Sequence, residues 1–492
     1  MDQTDEALEA VRLGATAGDL ETQHLDFKEP AEDVKSTLKI LADAAVCFAN
    51  ATGGDIVVGI KDKESGPKAF VGIPPSLSVD LVRKGIFDRT RPSLTCFVEA
   101  REVGHGASVL VVKVPQGVGT HANASGTATR RLGRECLPFT PDQQREVLAA
   151  RGQVDFSAEF TSASTSDLLG SEIERMRRLL RRAGKDSLAG AADDHLLTDL
   201  RLITSTGRVT NAALLLLGSE EALARHLPSY GCSYQFRPSA GSEALARTRE
   251  RRPLLAAVEV MIDAISARVE THPLNLAGGV QLRLSNYPLD AVRELVVNGL
   301  IHRSYETNGS VDVEHAPEHL SISSPGGLVA GVTPSNILTY PSTPRNRLLT
   351  ETVATLQLAE RTGQGIDRAY REMLRSGKEP PEFEDLGTLV RVTMPGGAGN
   401  DSFVRFVASL PDQLSGDVDV LLAFSHLRST RSIDAIRLSV LIQRTVVQSQ
   451  KVLSQLEAGA FIEASRRTAS RQHPTYRLRS ETLAAKSGRA HV

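Results

Sequence analysis

The segment at residues 38–60 constrains the fold more strongly than any other part of the chain. It begins with an apolar, alanine-rich run, continues as Asn-Ala-Thr-Gly-Gly at residues 50–54, and ends as Asp-Ile-Val-Val-Gly-Ile at residues 55–60. Apolar residues at helical spacing, a glycine pair and a short β-branched run predict a helix, a tight turn and a buried strand in that order. We therefore expect this part of the chain to pack a helix against a sheet.

Further elements extend this unit on its C-terminal side. Residues 95–99 and 109–114 have the composition of strands, and a polar helix is predicted from Pro141. Together these elements predict a compact α+β unit of about 150 residues, a common domain size. The Ser-, Thr- and Ala-rich residues 157–166 that follow are typical of a linker.

Length, composition and charge limit the class of protein. A chain of 492 residues exceeds what one core supports, so we expect about three or four domains. No run of eighteen apolar residues and no basic-then-apolar leader occurs, so we expect a cytoplasmic protein outside the membrane.

The four cysteines form no CxxC pair, which favours reduced thiols over a zinc ribbon or a disulfide framework. A net charge of −2 excludes a uniformly basic surface, although a local basic patch is compatible with it.

A first group of candidate site residues precedes and follows the glycine turn. Glu21, Asp26 and Lys28 lie within eight residues of each other, and Asp62 follows the predicted strand that could return beside them. Converging carboxylates can hold a divalent ion such as Mg²⁺ or Mn²⁺, with Lys28 stabilising charge on a phosphodiester. A solvated acidic loop with a surface salt bridge is the alternative interpretation.

About residues 15–150 resemble the Schlafen AlbA-type domain, whose pattern is an acidic pair before a lysine, an Ala-Asn-Thr-Gly-Gly turn and Gly-Ile-x-Asp. The resemblance implies nucleic-acid binding, with the late element Arg130-Arg131-Leu132-Gly133 contributing Arg130 and Arg131. In nucleolytic members of the family, three acids cleave RNA with a divalent metal, and position 26 here is Asp where Glu is usual. The matching residues are Glu21, Asp26, Lys28, Asn50, Gly53, Gly54, Gly59 and Asp62.

A second domain is predicted from further helices and strands. Residues 172–182 form a charged helical pattern, and the apolar residues 212–217 predict a buried strand. Residues 289–301 have apolar residues at helical spacing, which places Glu294 and Asn298 on one helix face. Residues 310–323 alternate as in a β-hairpin and end in Ser-Pro-Gly-Gly.

The order of motifs in this second part resembles the ATP-binding fold of gyrase, histidine kinases and chaperones, in the divergent form that follows AlbA-type domains in bacteria. The resemblance spans about residues 165–395 and implies that Asn298 ligates the Mg²⁺ of bound ATP while Glu294 orients the attacking water. The parent fold reads adenine with an aspartate that the Pro-Gly-Gly turn here does not carry. A degenerate fold kept for protein contacts is therefore the alternative. The remaining residues implied in cofactor binding are His302, Arg303, Gly326, Gly327, Arg345, Asn346, Gly363 and Gly365.

The C-terminal end is basic and has the element order of a winged helix. Residues 421–492 hold 12 Lys or Arg against 4 Asp or Glu. Residues 432–438, 440–444 and 446–458 predict three short helices, and residues 461–463 and 475–478 predict two strands. The alternative is a dimerisation or docking module with a solvated basic edge. The residues expected to contact nucleic acid are Gln448 and Lys451 on the third helix and Arg466, Arg467 and Arg471 in the wing.

The sequence thus predicts a multi-domain α/β and α+β protein with an AlbA-type Schlafen domain at 1–155, a gyrase-like α/β sandwich at 156–398 and a winged helix at 399–492. The leading functional hypothesis is an ATP-binding regulator whose nucleotide state modulates DNA or RNA binding, as a homo-oligomer, with a dimer favoured by the parent fold. One alternative is a metal-dependent nuclease gated by ATP, and another is an interaction scaffold with degenerate sites. Both an ATPase and a nuclease activity are compatible with the motifs, and neither is required by them.

Overall fold

In the computed structural model the chain divides into two compact units, Met1–Val154 and Asp155–Val492. Each unit has its own hydrophobic clusters. None of the described helices is long and apolar enough to cross a membrane. The structure describes residues 3–103, 107–150, 154–239, 242–329, 332–359, 365–465 and 474–479.

The first unit is a mixed α/β structure built on a four-stranded sheet. Its helices and strands alternate over residues 3–91, strands then follow one another up to residue 138, and short 3₁₀ helices occur at Ala17–Leu20 and Gly66–Ala69. The described elements are α1 (Gln3–Arg12), β1 (Leu25–Lys28), α2 (Val34–Ala49), β2 (Gly54–Val58), α3 (Val79–Arg89), β3 (Thr90–Arg91), β4 (Phe97–Glu102), β5 (Ser108–Val114), β6 (Ala122–Asn123), β7 (Thr129–Leu132), β8 (Glu135–Pro138) and α4 (Pro141–Ala150).

The sheet has the strand order β1-β2-β5-β4, with β1 parallel to β2 and the other pairs antiparallel. Side chains alternate across it: Ile56 and Val58 pack with α2 and α3 on one face, whereas Val57 packs with α1 on the other. The predicted order of helix, glycine turn and strand at residues 38–60 is therefore confirmed. Gly54 is required at the turn, because a Cβ there would lie 2.6 Å from the carbonyl oxygen of His24.

A disulfide joins Cys47 of α2 to Cys136 of β8 and so ties the β7–β8 hairpin to the helix. The expectation of four reduced thiols is therefore wrong for this pair. The two cysteines lie 89 residues apart in sequence, and only the fold brings their Cα atoms to 5.8 Å. Cys96 and Cys232 are buried as free thiols.

The second unit is also mixed α/β, with a larger sheet followed by a helical C-terminal part. Additional 3₁₀ helices lie at Phe156–Ala158, Thr165–Asp167 and Ala277–Gly279. The described elements are α5 (Gly170–Arg182), α6 (Asp186–Ala189), α7 (Asp193–Asp199), α8 (Asn211–Leu217), α9 (Glu220–His226), β9 (Cys232–Phe236), β10 (Ala246–Glu250), α10 (Leu254–Ser266), β11 (Thr271–Asn275), β12 (Gln281–Ser285), α11 (Leu289–Ile301), β13 (Val311–His315), β14 (His319–Pro325), α12 (Arg347–Thr355), α13 (Gly365–Arg375), β15 (Glu382–Asp385), β16 (Leu389–Pro395), α14 (Asp401–Ala408), α15 (Asp412–Ser415), α16 (Val418–Ser429), α17 (Ala435–Ile442), α18 (Val446–Ala458), β17 (Ile462–Ala464) and β18 (Tyr476–Leu478).

Six strands form the main sheet in the order β10-β9-β13-β14-β16-β15, in which only β9 and β13 run parallel. Val313 and Ile322 share one core with residues of α10, α11 and α13. On the opposite face, neighbouring strands exchange polar contacts such as the hydrogen bond from Ser233 Oγ to Asp312. The predicted helix at residues 289–301 and the predicted hairpin after it are confirmed as α11 and β13–β14.

Two predictions about local structure within residues 157–217 are wrong. The apolar run expected to be a strand is the helix α8, fully buried and capped by the Thr210 side chain, which accepts a hydrogen bond from the amide of Ala213. A continuous apolar run has no periodicity to separate the two structures, so the cap decides between them. The expected linker at residues 157–166 is anchored instead, because buried Ser157 accepts a hydrogen bond from the amide of Leu349.

The C-terminal helices share one core with α13, through Tyr370 and Leu374. The predicted boundary at 398–399 therefore falls inside the second unit. The two short helices predicted at 432–438 and 440–444 are one helix, α17, whereas α18 and the strands β17 and β18 lie where they were predicted.

Candidate functional site

A cavity of about 190 Å³ lies over the main sheet of the second unit. Glu294 and Asn298 of α11 line one side, and Gly365 lines it at the start of α13. The Gly-Gly turn after β14 and the segment at residues 332–343 form further walls. Four separate segments of the sequence therefore meet here. They include the Glu294 and Asn298 pair and the Gly326-Gly327 turn, both of which were singled out from the sequence.

Glu294 and Asn298 form a polar pair at the base of the cavity. Their four-residue spacing puts both on one face of α11, and Asn298 Nδ2 donates a hydrogen bond to Glu294 Oε1 at 3.3 Å. Glu294 is only 4% exposed. Gly365 packs directly on its carboxylate, because a Cβ at that position would overlap Glu294 Oε1. The start of α13 can approach α11 this closely only with glycine.

The Gly326-Gly327 turn is held by Arg345. The Arg345 guanidinium donates a hydrogen bond to the carbonyl oxygen of Gly327 at 2.6 Å, and a Cβ on Gly326 would overlap that guanidinium. Gly326 also has a φ of +93°, which favours glycine over residues with a Cβ. Arg345 therefore braces the turn, and both glycines, but not Arg345, are among the residues that line the cavity.

His302 lines the same cavity. Burial, with a smaller contribution from the Arg345 guanidinium, lowers the pKa of His302 from 6.5 to about 4. The imidazole is therefore neutral at pH 7, with one ring nitrogen as a donor and the other as an acceptor.

The structure does not bring Arg303 and Asn346 to the cavity, so their predicted cofactor contacts are corrected. Arg303 is completely buried and donates hydrogen bonds to main-chain carbonyls, including those of Ser229 and Gly309, both at 3.0 Å. Asn346 is 1% exposed, and its Nδ2 donates to the carbonyl oxygens of Ile301 and Arg303. Both side chains brace the loop that follows α11. Gly363 lies outside the described residues.

The cavity residues fit a magnesium-bound nucleotide in chemical type. An amide and a carboxylate are oxygen ligands or water-orienting groups of the kind Mg²⁺ accepts. Gly326 and Gly365 are positions where a Cβ would collide with the cavity's own polar groups. The present volume is below the roughly 300–1,000 Å³ of pockets that enclose drug-sized ligands. The cavity is partly open, so a nucleotide seated here either extends beyond its mouth or displaces a wall.

In the first unit, Asp26 is the centre of a buried charge cluster. It is 1% exposed, its Oδ2 lies 2.7 Å from Lys28 Nζ, and its Oδ1 lies 3.4 Å from Arg131 Nη1. Glu21 is hydrogen-bonded to Asp26 and accepts a hydrogen bond from the amide of Phe27 at 3.2 Å. Burial, followed by Asp26, raises the pKa of Glu21 from 4.5 to about 7. Glu21 therefore keeps its carboxyl proton up to near neutral pH.

The three acids expected to hold a metal are not assembled into one site. Asp62 is exposed and lies beyond the end of β2, where its carbonyl oxygen accepts a hydrogen bond from the amide of Gly18. Among the described residues no group of three or more His, Cys, Asp or Glu side chains could hold a metal ion. Asp26 is already neutralised by two cations, so this arrangement does not fit a Mg²⁺ or Mn²⁺ site.

The arginines predicted to contact nucleic acid differ in position. Arg131 is buried, donates to the carbonyl oxygens of Thr22 and Leu25, and lies over the ring of Phe48. It is a structural residue, which corrects the sequence prediction. The neighbouring Arg130 is partly exposed and lies over the ring of Phe139.

On α18, Lys451 is exposed, and Gln448 is exposed at the N-terminus of the helix. The Gln448 side chain accepts a hydrogen bond from the amide of Thr445, so it also caps the helix. Arg466, Arg467 and Arg471 lie outside the described residues.

The sequence did not reveal the cavity wall at residues 332–343. This segment carries no glycine motif, and its only local signal was the Thr-Pro-Ser-Asn turn at residues 333–336. Phe383 also lines the cavity and was not singled out. Apolar lining residues look like ordinary core residues in a sequence.

Comparisons with known proteins support the class of both parts. Residues 21–140 match the family model "Schlafen, AlbA_2". Residues 308–394 match the model "Putative ATP-dependent DNA helicase recG C-terminal", and residues 145–233 match a domain of unknown function. The chain therefore contains an AlbA-type Schlafen domain and an ATPase-like domain. The second match begins after Glu294 and Asn298 and so does not include them. Their assignment to the candidate site rests on the geometry of the cavity.

Among solved structures, the DIP2311 protein from Corynebacterium diphtheriae aligns with 98% of this chain and 98% of its own, with a TM-score of 0.58 and 23% identity. At this identity the likeness shows the fold alone. A search of curated proteins found no match.

Proposed function

We propose that the second unit binds ATP with Mg²⁺ at the cavity, and that nucleotide occupancy modulates nucleic-acid binding by the chain. The observation that carries the proposal is the meeting of Glu294, Asn298, the Gly326-Gly327 turn and Gly365 around one cavity. The match to an ATPase-like domain over residues 308–394 supports it.

Each residue around the cavity has a defined role in this proposal. Asn298 holds Mg²⁺, which neutralises phosphate charge when bound, and Glu294 accepts a hydrogen bond from the attacking water. The start of α13 offers backbone N–H groups to an anion. Neutral His302 donates or accepts one hydrogen bond. The apolar lining by Ile322, Val390 and Val392 excludes water from a base or ribose.

The fold assignments behind this proposal are a gyrase-like sandwich and a C-terminal winged helix. A mixed sheet with α10, α11 and α13 on one face supports the sandwich. The order α16, α17, α18, β17, β18 supports the winged helix, as does the bridge between Ile433 and Tyr476, which adds a third strand position to the β17–β18 pair.

Nucleic-acid binding is proposed from the AlbA-type Schlafen domain and from the excess of basic residues at the C-terminal end. Exposed Lys451 and partly exposed Arg130 are the described residues that remain candidates for phosphate contacts. Metal-dependent cleavage is not proposed, because Asp26 pairs with Lys28 and Arg131 and Asp62 stands apart.

Thermal unfolding of the intact chain with and without millimolar ATP and Mg²⁺ tests the nucleotide site. A ligand that binds only the native state stabilises it by about 2.7 kcal/mol at one hundred times its Kd. We expect a rise in Tm of several degrees that is lost in Asn298→Ala. The matched control is Asn308→Ala, since Asn308 is exposed outside the cavity. An unchanged Tm in the unmodified protein would refute nucleotide binding.

A further inference from the structure

The turn between α17 and α18 reaches back to the wall of the nucleotide cavity. Gln443, the first residue after α17, donates a hydrogen bond from Nε2 to the carbonyl oxygen of Pro334 at 2.9 Å. Its Oε1 accepts a hydrogen bond from the amide of Leu338 at 2.8 Å. One side chain of the C-terminal part thus holds two points of the segment at residues 332–343.

That segment is internally braced. The side chain of Asn336 accepts a hydrogen bond from the amide of Thr333 at 2.7 Å, and the carbonyl oxygen of Asn336 accepts one from the amide of Tyr340 at 2.8 Å. Val332 and Tyr340, at the two sides of this turn, line the cavity. When Val332 or Tyr340 is displaced at the cavity, the carbonyl oxygen of Pro334 and the amide of Leu338, which Gln443 holds, therefore move as well.

Apolar side chains connect the same two places. Leu338 of the wall packs against the C-terminal hydrophobic core, as do Ile366 and Phe383. Ile366 and Phe383 also line the cavity. The cavity and the core beneath α17 and α18 thus share side chains, and a change in one alters the packing of the other.

Arg444, the next residue in the turn, lies near α16 and the first turn of α13. Its guanidinium donates to Asp419 at 2.5 Å. Burial raises the pKa of Asp367 on the first turn of α13, and the nearby Arg444 opposes that rise. The two residues of one turn therefore face both the wall at 332–343 and the helix that begins with Gly365.

From these contacts we propose that Gln443 is a latch between the cavity wall and the α17–α18 turn, and that seating a nucleotide releases it. The inference rests on the proposed nucleotide site. The cavity of about 190 Å³ is partly open to solvent, and in this proposal a nucleotide seats fully only when the wall at residues 332–343 moves outward. By linkage, release of the latch strengthens nucleotide binding, and nucleotide binding frees the turn before α18.

Gln443→Gly removes the latch without straining the chain. Gln443 has a φ of 55°, which glycine adopts more readily than glutamine, so the end of α17 is preserved. Ala460→Gly is the matched control: it removes a side chain at a φ of 61° after α18, at an exposed residue that does not line the cavity. Both proteins and the unmodified chain are titrated with ATP and Mg²⁺ by calorimetry.

We expect Gln443→Gly to bind ATP roughly five- to tenfold more tightly, because two neutral hydrogen bonds no longer oppose the movement of the wall. Ala460→Gly should bind as the unmodified chain does. Equal affinities in all three proteins would overturn the latch and leave the nucleotide site intact. Absence of binding in all three would refute the nucleotide site itself.

Hydrogen exchange at the amide of Leu338 provides a second readout that needs no nucleotide. This amide donates to Gln443 Oε1, so Gln443→Gly should exchange it at least several-fold faster than Ala460→Gly does. In the unmodified chain, ATP with Mg²⁺ should have the same effect. Unchanged exchange in Gln443→Gly would refute the latch whether or not ATP binds.

Discussion

At the scale of residues, the role of a charged or polar side chain depended more on its position in the fold than on its residue type. Arg131, Arg303 and Asn346 were all expected to face a ligand and are instead buried against main-chain carbonyls. A guanidinium can donate five hydrogen bonds to a phosphate or to a loop, and one sequence does not distinguish the two uses. The proximity of Glu294 and Asn298 was predictable from the sequence, because the bounds of their helix were.

Arg131→Met is expected to destabilise the first unit by about 3 kcal/mol, since it leaves buried Asp26 paired only with Lys28. Arg134→Met, on the same hairpin but exposed, should cost under about 1 kcal/mol. Denaturant unfolding of both variants measures the difference. A near-neutral Arg131→Met with weakened nucleic-acid binding would instead place Arg131 at the binding surface.

Glu21 should make the first unit less stable as pH rises. Burial, and then Asp26, raise the pKa of Glu21 to about 7, whereas in the unfolded chain it titrates near 4.5. Between these values the folded state holds a proton that the unfolded state releases, so its stabilising effect is complete below about pH 4.5 and is lost as pH rises through 7. Glu21 is partly exposed to solvent, which reduces the effect to on the order of 1 kcal/mol.

Glu21→Gln should remove this part of the pH dependence. Unfolding of the intact chain at about pH 5 and pH 8 measures it, and exposed Glu32→Gln serves as the control. If Glu21→Gln and the unmodified protein lose equal stability between the two pH values, the pKa of Glu21 is not raised in the folded protein.

At the scale of elements, predictions held where periodicity and turn chemistry agreed. The bounds of α11 were predicted to the residue. The order of α2, glycine turn and β2 was also predicted correctly. The helix α8 was missed because six consecutive apolar residues carry no period. The wall at residues 332–343 was missed because its role depends on contacts with Gln443, which lies about a hundred residues away in sequence.

Gly365→Ala tests the contact between α13 and α11. The added Cβ would overlap the Glu294 carboxylate, so we expect a loss of about 1–3 kcal/mol in stability together with weaker ATP binding. Gly170→Ala is the matched control, because Gly170 also begins a helix and a Cβ there meets no atom within 4 Å. Equal unfolding and binding in the two variants would show that the two helices are not packed this closely.

At the scale of the whole molecule, each unit has its own core, so we expect two unfolding transitions. Reductant should shift one of them, and ATP with Mg²⁺ should shift the other. The disulfide between Cys47 and Cys136 closes a loop of 89 residues inside the first unit, and its reduction should cost that unit about 2–4 kcal/mol. ATP with Mg²⁺ should instead raise the transition of the second unit, where the cavity lies.

Calorimetry of the intact chain with reductant, with ATP and Mg²⁺, and with both separates these effects. Replacing Cys47 and Cys136 together by alanine provides the control, because reductant should then shift neither transition. Additive shifts in two transitions would mean that the nucleotide acts within the second unit alone. If ATP also raised the reductant-sensitive transition, the two units would be thermodynamically coupled, and nucleotide control would extend to the AlbA-type domain as well as to the turn before α18.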